Sequence, residues 1–290
     1  MLRNMNTLNG VSTYKIVSEN ANAKAIDELG NALLRQEIDG FVLNDFVSAE
    51  EARAVVRGFR SLQADAIITI NKGFLSYPES FAQFTQGIEQ GKFTEEHYYK
   101  KALEFRKQFE QNFGMDIEQK CKNLFERLFV RKNIEVPVDK YKTGSFMPFN
   151  FRELKPDFGE LTIHCENIFF DEFPRFFELL SHTVLRKNDF SFFITLQQPE
   201  EGGELCLFSH RWNEAETRFQ KVGDTNNYVQ ELLASNPQEQ LISPPVGSIV
   251  VFSGGDIWHR VNVVKGDKSR ITIGGFVSSG VEENMLYIWA

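Results

Sequence analysis

From about Val136 onward the chain breaks into short β-branched and aromatic runs, each stopped by Gly, Pro or polar residues. Phe146, Phe149 and Phe151 come first. Leu161-Thr-Ile163, Phe190-Ser-Phe-Phe-Ile-Thr-Leu196, Gly203-Glu-Leu-Cys-Leu-Phe208, Gly247-Ser-Ile-Val-Val-Phe252 and Arg270-Ile-Thr-Ile-Gly-Gly-Phe-Val277 follow. Runs of this length between such stops are strands, and their repetition points to an antiparallel barrel or jelly roll. A polar stretch from Asn213 to Gln240 separates two of them as an insertion, within which Tyr228-Val-Gln-Glu-Leu-Leu233 can form one or two helical turns.

The first 135 residues read differently. Ile26, Leu29, Leu33 and Leu34 recur at helical spacing, predicting a helix over Ala21 to Glu37, followed by a short strand at Gly40-Phe-Val-Leu43. Ser48 with Glu51 three residues on is a capping-box pattern ahead of Ala54, Val55, Phe59 and Leu62. Gly73, Pro78 and Gly87 make residues 63–93 read as an irregular segment or short helices, a candidate lid. From Thr94 to Arg131 the apolar recurrence Tyr98, Leu103, Phe105, Phe109, Phe113, Ile117, Leu124, Leu128 is interrupted near Gly114, predicting two helices packed on a sheet. The fold class is therefore α+β: one domain over 1–290, mainly helical over 1–135, with a β core over 136–290 that carries the insertion at about 213–240. The 28 phenylalanines predict a large aromatic core.

Charge narrows the partners. A net charge of -8 argues against nucleic acid, whose binding draws affinity from Lys and Arg releasing counterions. Cys121, Cys165 and Cys206 are an odd set without CxxC spacing, which excludes a disulfide framework as the basis of the fold and fits a reducing cytoplasm. No export signal or membrane span is expected, because Met1 to Tyr14 is polar and no later run approaches about 18 uninterrupted apolar residues.

The chemistry-bearing residues are His164-Cys165-Glu166 and, ninety-five residues after the first, His259. On an extended strand end, positions two apart point to the same side, so His164 and Glu166 can act together. The turn Ser253-Gly-Gly-Asp256 lets a further strand carry His259 back to them. Imidazole and carboxylate suit iron(II), and the lack of a thiolate disfavours structural zinc. Taken alone, the three allow iron, zinc or no metal, since a His-x-Glu pair is also common in ordinary structure.

Arg270 stands eleven positions after His259 and opens the alternating run Arg270-Ile-Thr272, so it shares a face with Thr272. Its planar fork suits a carboxylate, with the hydroxyl assisting; the ordinary alternative is a strand-edge salt bridge. Asn150, Arg152, His210, Arg211, Trp212, Asp256 and Trp258 neighbour these motifs in sequence and are candidate contacts for a zwitterionic metabolite. Equally, Trp212 and Trp258 can be core packing and Arg152 a surface ion pair. His97 and His182 lie in helix-like stretches and read as ordinary. Cys165, between two candidate ligands, is expected to face the barrel wall.

Together His164-x-Glu166, Glu201-Gly-Gly-Glu-Leu205, Pro245-Val-Gly-Ser-Ile-Val-Val-Phe252, Trp258-His259-Arg260-Val261 and Arg270-x-Thr272 resemble the iron(II)- and 2-oxoglutarate-dependent dioxygenase superfamily over about residues 145–280. Asp39-Gly-Phe-Val-Leu-Asn-Asp-Phe46 with the capped helix after it adds a weaker likeness to the start of its prolyl-hydroxylase-like and small-molecule branches. The resemblance implies a double-stranded β-helix (a cupin-like jelly roll) with N-terminal and inserted helices on the sheet. It further implies iron(II) held by His164, Glu166 and His259, with 2-oxoglutarate held by Arg270 and Thr272. The implied reaction couples O2 and decarboxylation of 2-oxoglutarate, giving succinate and CO2, to hydrogen abstraction from a substrate C–H bond. Glu166 stands where most members have Asp. Related halogenases carry Gly or Ala there to admit halide, so hydroxylation, or another oxidation such as desaturation, is favoured over halogenation. The expected substrate is a small molecule such as a free amino acid. A protein or peptidyl hydroxylase and a non-catalytic cupin-like binding protein are the alternatives.

Overall fold

The computed structural model describes residues 3–4, 13–92, 94–141, 144–185, 190–212 and 225–290. Two β-sheets face each other as a double-stranded β-helix. Among the described residues the long sheet has eleven strands. Its central run pairs Ile16–Asn20, Gly40–Asn44, Ile249–Phe252, Phe190–Gln197, Arg270–Ser279, Asn150–Leu154 and Phe74–Tyr77 side by side. The short sheet pairs Glu239–Ile242, Leu205–Arg211, Ile257–Val261 and Leu161–His164, all antiparallel.

Side-chain alternation assigns the two faces of the long sheet. Phe41, Leu43, Phe192, Ile194, Ile249, Val251, Ile271 and Ile273 enter one large core with the helices. Their neighbours Val42, Phe193, Val250 and Phe252 point the other way and meet Leu205, Leu207, Ile242 and Ile257 of the short sheet. Residues that alternate with the first set therefore look into the space between the sheets.

The helices Ala49–Arg60, Glu95–Phe113 and Ile117–Leu128 cover the outer face of the long sheet. The first begins with the predicted capping box: the Glu51 N–H donates to Ser48 Oγ while the Ser48 N–H donates to the Glu51 carboxylate. The predicted interruption falls at Gly114, whose φ of 79° ends the second helix, and Asp116 caps the third. Phenylalanines from helix and sheet interleave: Phe59 stacks on Phe151 at 5.0 Å, Phe113 lies 4.9 Å from Phe151, and Phe125 meets Phe192 edge-on at 5.4 Å.

Two expectations need correction. The helix predicted over Ala21 to Glu37 is a 3-10 turn at Lys24–Ile26 and a short helix at Leu29–Leu34, separated by Glu28 with φ 74°. Ile26, Leu29 and Leu33 are buried all the same, so docking on the core replaces helix continuity. Of the irregular segment or short helices expected over 63–93, the helices are there but the first part is a regular hairpin. Ile68–Asn71 and Phe74–Tyr77 form a hairpin that joins the edge of the long sheet beside Asn150–Leu154, and Phe81–Glu89 is a helix packed on Phe169, Phe173 and Phe176. The predicted insertion lies outside the described residues over 213–224; beyond it the helical turns expected at 228–233 belong to a helix over Thr225–Ala234. Among the described residues, no helix is long and apolar enough to cross a membrane.

Candidate active site

His164 ends one strand of the short sheet and His259 lies in the next, and the two are register partners. Their rings stand 4.3 Å apart. Cys165 is extended, and Glu166 opens a 3-10 turn, so its carboxylate returns beside the imidazoles, with Oε1 3.4 Å from His259 Nε2. One ligand atom from each of the three lies within 4.8 Å of the others. The Nδ1 of His164 is 2.6 Å from the Thr162 carbonyl, and that of His259 is 2.8 Å from the Ile257 carbonyl. With Nδ1–H donating to a carbonyl, each ring leaves Nε2 as the lone pair, the outer-shell arrangement typical of metal-binding histidines. Burial, followed by the neighbouring His259, pushes the His164 pKa down to about 4. For Glu166 burial acts upward, but His259 and His164 together with hydrogen bonds outweigh it and bring the pKa down to about 2. The arrangement is two imidazoles around one buried carboxylate.

Glu166 sits in a niche that the sequence motifs do not announce. Ser191 Oγ donates to Glu166 Oε1, while Oε2 is buried without a hydrogen-bond partner among the described residues. The Glu166 N–H donates to the Gly254 carbonyl at 3.2 Å, and the Asn167 N–H to that of Gly255 at 3.3 Å. A Cβ at Gly254 would lie 2.6 and 2.8 Å from the two carboxylate oxygens and would also strike Ser191 Oγ. Only glycine lets the 253–256 turn close on the carboxylate.

Arg270 and Thr272 point into the same interior, because Ile271 and Ile273 between them face the helices. Arg270 is 6% exposed. Its guanidinium carbon lies 5.0 Å from the centre of the Phe193 ring, and it has no hydrogen bond or ion pair among the described residues. Burial first, then the charge of Arg152, pushes its pKa down to about 10. Thr195 is the register partner of Thr272, and its hydroxyl is buried without a hydrogen-bond partner among the described residues. Gly203 clears a path for this side chain: a Cβ there would come within 3.1 Å of Arg270 Cδ.

The other candidates divide. Asn150 and Arg152 alternate with Phe151, which faces the helices, and so belong to the interior; Arg152 Nε donates to Asn150 Oδ1 at 3.0 Å. Trp258 and Trp212 do not. The residue next to His259 must point to the opposite face, and Trp258 packs there with Cys165, Cys206, Phe208 and Leu232, with Trp212 against the group. Cys165 thus faces the outer side of the barrel wall. Arg211 and Asp256 pair with one another, and Arg211 also pairs with Asp39, tying the short sheet to the turn that holds Glu166. The His210 ring makes no hydrogen bond among the described residues, and its carbonyl accepts from the Tyr14 hydroxyl. His97 and His182 are exposed, away from the triad. The motifs do not pick out Ser191, Thr195 and Gly254; polar residues at alternate positions of an otherwise apolar strand were the available signal for the first two.

Two facing sheets with such a triad between them fit the iron(II)- and 2-oxoglutarate-dependent oxygenases, and the family match over most of the chain makes the protein an enzyme of that superfamily. Within it, residues 16–290 match the family described as carrier-protein-independent halogenase WelO5, and the chain belongs to that family. No curated protein matches the chain. Among solved structures, it is similar to an N-substituted L-amino acid dioxygenase from Burkholderia ambifaria AMMD, with 13% identity, a TM-score of 0.57 and 89% of each chain covered. The same enzyme in complex with alpha-KG matches with 14% identity, a TM-score of 0.56 and 90% of each chain covered. At these identities the likeness is one of fold.

Proposed function

We propose that the protein hydroxylates an unactivated C–H bond of a free small molecule, an amino acid or a related metabolite. His164, Glu166 and His259 would hold iron(II), and Arg270, Thr272 and Thr195 the distal carboxylate of 2-oxoglutarate. Two features support the fit. The donor set of two Nε2 lone pairs and one carboxylate suits iron(II) with open positions for cosubstrate and O2. A buried arginine without a counterion among the described residues, with a threonine hydroxyl equally without a hydrogen bond there, suits a carboxylate, since both groups are unfavourable while unpaired. When bound, iron and 2-oxoglutarate supply the oxidation: 2-oxoglutarate, O2 and R–H become succinate, CO2 and R–OH.

The protein's own residues orient and exclude. The Thr162 and Ile257 carbonyls hold the imidazoles, Ser191 and Gly254 hold Glu166, and the apolar residues between the sheets keep water from the interior. The observation that carries hydroxylation over halogenation is the Glu166 carboxylate itself, held at the position where a halogenase needs room for halide. The family's independence of carrier proteins supports a free substrate, and the likeness in fold to an N-substituted L-amino acid dioxygenase supports an amino acid. The three buried cysteines, none of them in a disulfide, suit a reducing cytoplasm.

The test is a screen of free amino acids for substrate-stimulated succinate formation, run with iron(II) in chloride buffer and read by product mass. A gain of one oxygen is expected, with turnover lost by about 1,000-fold or more in His259→Ala, since a metal centre missing a ligand loses most of its rate advantage. A chlorinated product would overturn the reaction assignment, and unchanged turnover in His259→Ala the site.

A further inference from the structure

The interior between the sheets holds a second arginine, for which neither the metal triad nor the cosubstrate carboxylate has a use. Arg152 sits opposite Thr272 in the register, two pairs along from Arg270 and on the same face. It is half-buried, and its only hydrogen bond among the described residues is the one from Nε to Asn150 Oδ1; it has no acidic partner within salt-bridge distance there. Burial pushes its pKa down, and Glu166 alone acts upward. A guanidinium anchored through Nε presents its two Nη groups as a free fork, the geometry that grips a carboxylate bidentately. The Asn150 Nδ2 amide, also without a hydrogen bond among the described residues, adds a donor beside it.

Charge counting says what that fork is for. Arg152, Arg270 and Glu166 face the interior, and the two imidazoles are neutral as metal ligands. Adding iron(II) and dianionic 2-oxoglutarate leaves one positive charge in excess. The distal carboxylate of the cosubstrate is taken by Arg270, and its 2-oxo acid end belongs at the metal. An isolated charge in a part-buried interior is strongly disfavoured, so one further anion is called for.

We propose that Arg152, steadied by Asn150, forms a second carboxylate-binding site that takes the acid group of the substrate and so restricts the enzyme to anionic or zwitterionic metabolites. This rests on the proposed iron and 2-oxoglutarate site.

Acetate is the smallest probe of such a site, with acetamide as its uncharged counterpart. Full-length protein loaded with Mn(II) and saturated with 2-oxoglutarate should speed the proton relaxation of acetate saturably, and that of acetamide little. In Arg152→Met the acetate effect should fall at least about fivefold, and Arg152→Lys, which keeps the charge but loses the fork, should lie between. The lysine variant also carries the test if the methionine variant does not fold. In parallel, anaerobic titration of the iron(II) protein, read by the absorption of the iron–2-oxoglutarate chelate, should give a cosubstrate affinity within about twofold of wild type in Arg152→Met. Equal acetate relaxation in wild type and both variants would overturn the proposal. So would a cosubstrate affinity weakened tenfold or more, which would make the carboxylate at Arg152 that of 2-oxoglutarate. Failure of wild type to form the chelate at all would instead bring down the underlying iron and cosubstrate reading, and this proposal with it.

Discussion

Along the single strand Phe190–Gln197, Phe190, Phe192, Ile194 and Leu196 enter the helix-covered core, whereas Ser191, Phe193 and Thr195 look toward the short sheet. The outer face is made of interlocking rings, Phe125 against Phe192 and Phe129 against Phe190. The inner face carries groups that are incomplete among the described residues: the Arg270 guanidinium without a counterion, and Glu166 Oε2 and Thr195 Oγ1 without hydrogen bonds. Native interiors rarely keep such groups. One face therefore holds the fold together, whereas the other carries polar groups in position to meet ligands.

Phe151→Ala attacks the outer face where it is densest. The ring is fully buried and meets Phe59, Tyr77, Phe109 and Phe113. Its removal should lower unfolding free energy by about 3–5 kcal/mol in urea denaturation, while metal affinity of the folded fraction stays near wild type. A change below about 1 kcal/mol would break the division between the faces.

Arg270→Met makes the opposite claim. Affinity for 2-oxoglutarate should fall about 100-fold, equivalent to about 2.7 kcal/mol. Stability of the protein without cosubstrate should be unchanged or higher, because a buried unpaired charge is removed and a side chain of similar length retained. Marked destabilisation of the unliganded protein would show that Arg270 serves the fold, against its assignment to the inner set.

Much of this division was legible in the sequence. Short apolar runs marked the strands, and alternation placed Arg270 with Thr272 and opposed them to Ile271. His164 and Glu166 were legible because two residues on an extended backbone share a side, and His259 because a turn followed a strand. Proximity in sequence misled for Trp258, Trp212, Arg211 and Asp256: the first two pack on the outer side of the short sheet, and the last two lock a surface turn. Ser191 escaped notice because Phe190-Ser-Phe-Phe reads as core, and its partner Glu166 lies 25 residues away. The 68–77 hairpin was hidden by Gly73 and Pro78, which read as breakers until a neighbouring strand supplies the pairing.

The smallest effects give the sharpest division, since Ser191 and Thr195 are hydroxyls four residues apart on the inner face of one strand. Ser191 donates to Glu166 Oε1, so Ser191→Ala leaves that carboxylate less firmly oriented for the metal. Metal affinity should weaken about tenfold, the size expected for losing an outer-shell partner, with the cosubstrate affinity of the metal-saturated protein unaltered. Thr195 Oγ1 has no hydrogen-bond partner among the described residues and pairs in register with Thr272, so Thr195→Ala should weaken 2-oxoglutarate by about tenfold, the low end of what one hydrogen bond to a charged group contributes, near 1.5 kcal/mol, and leave the metal alone. Competition with a metal indicator and the anaerobic chelate titration read the two constants separately. If both variants weaken both ligands alike, the inner face acts as one cooperative network, and its partition into a metal end and a carboxylate end fails.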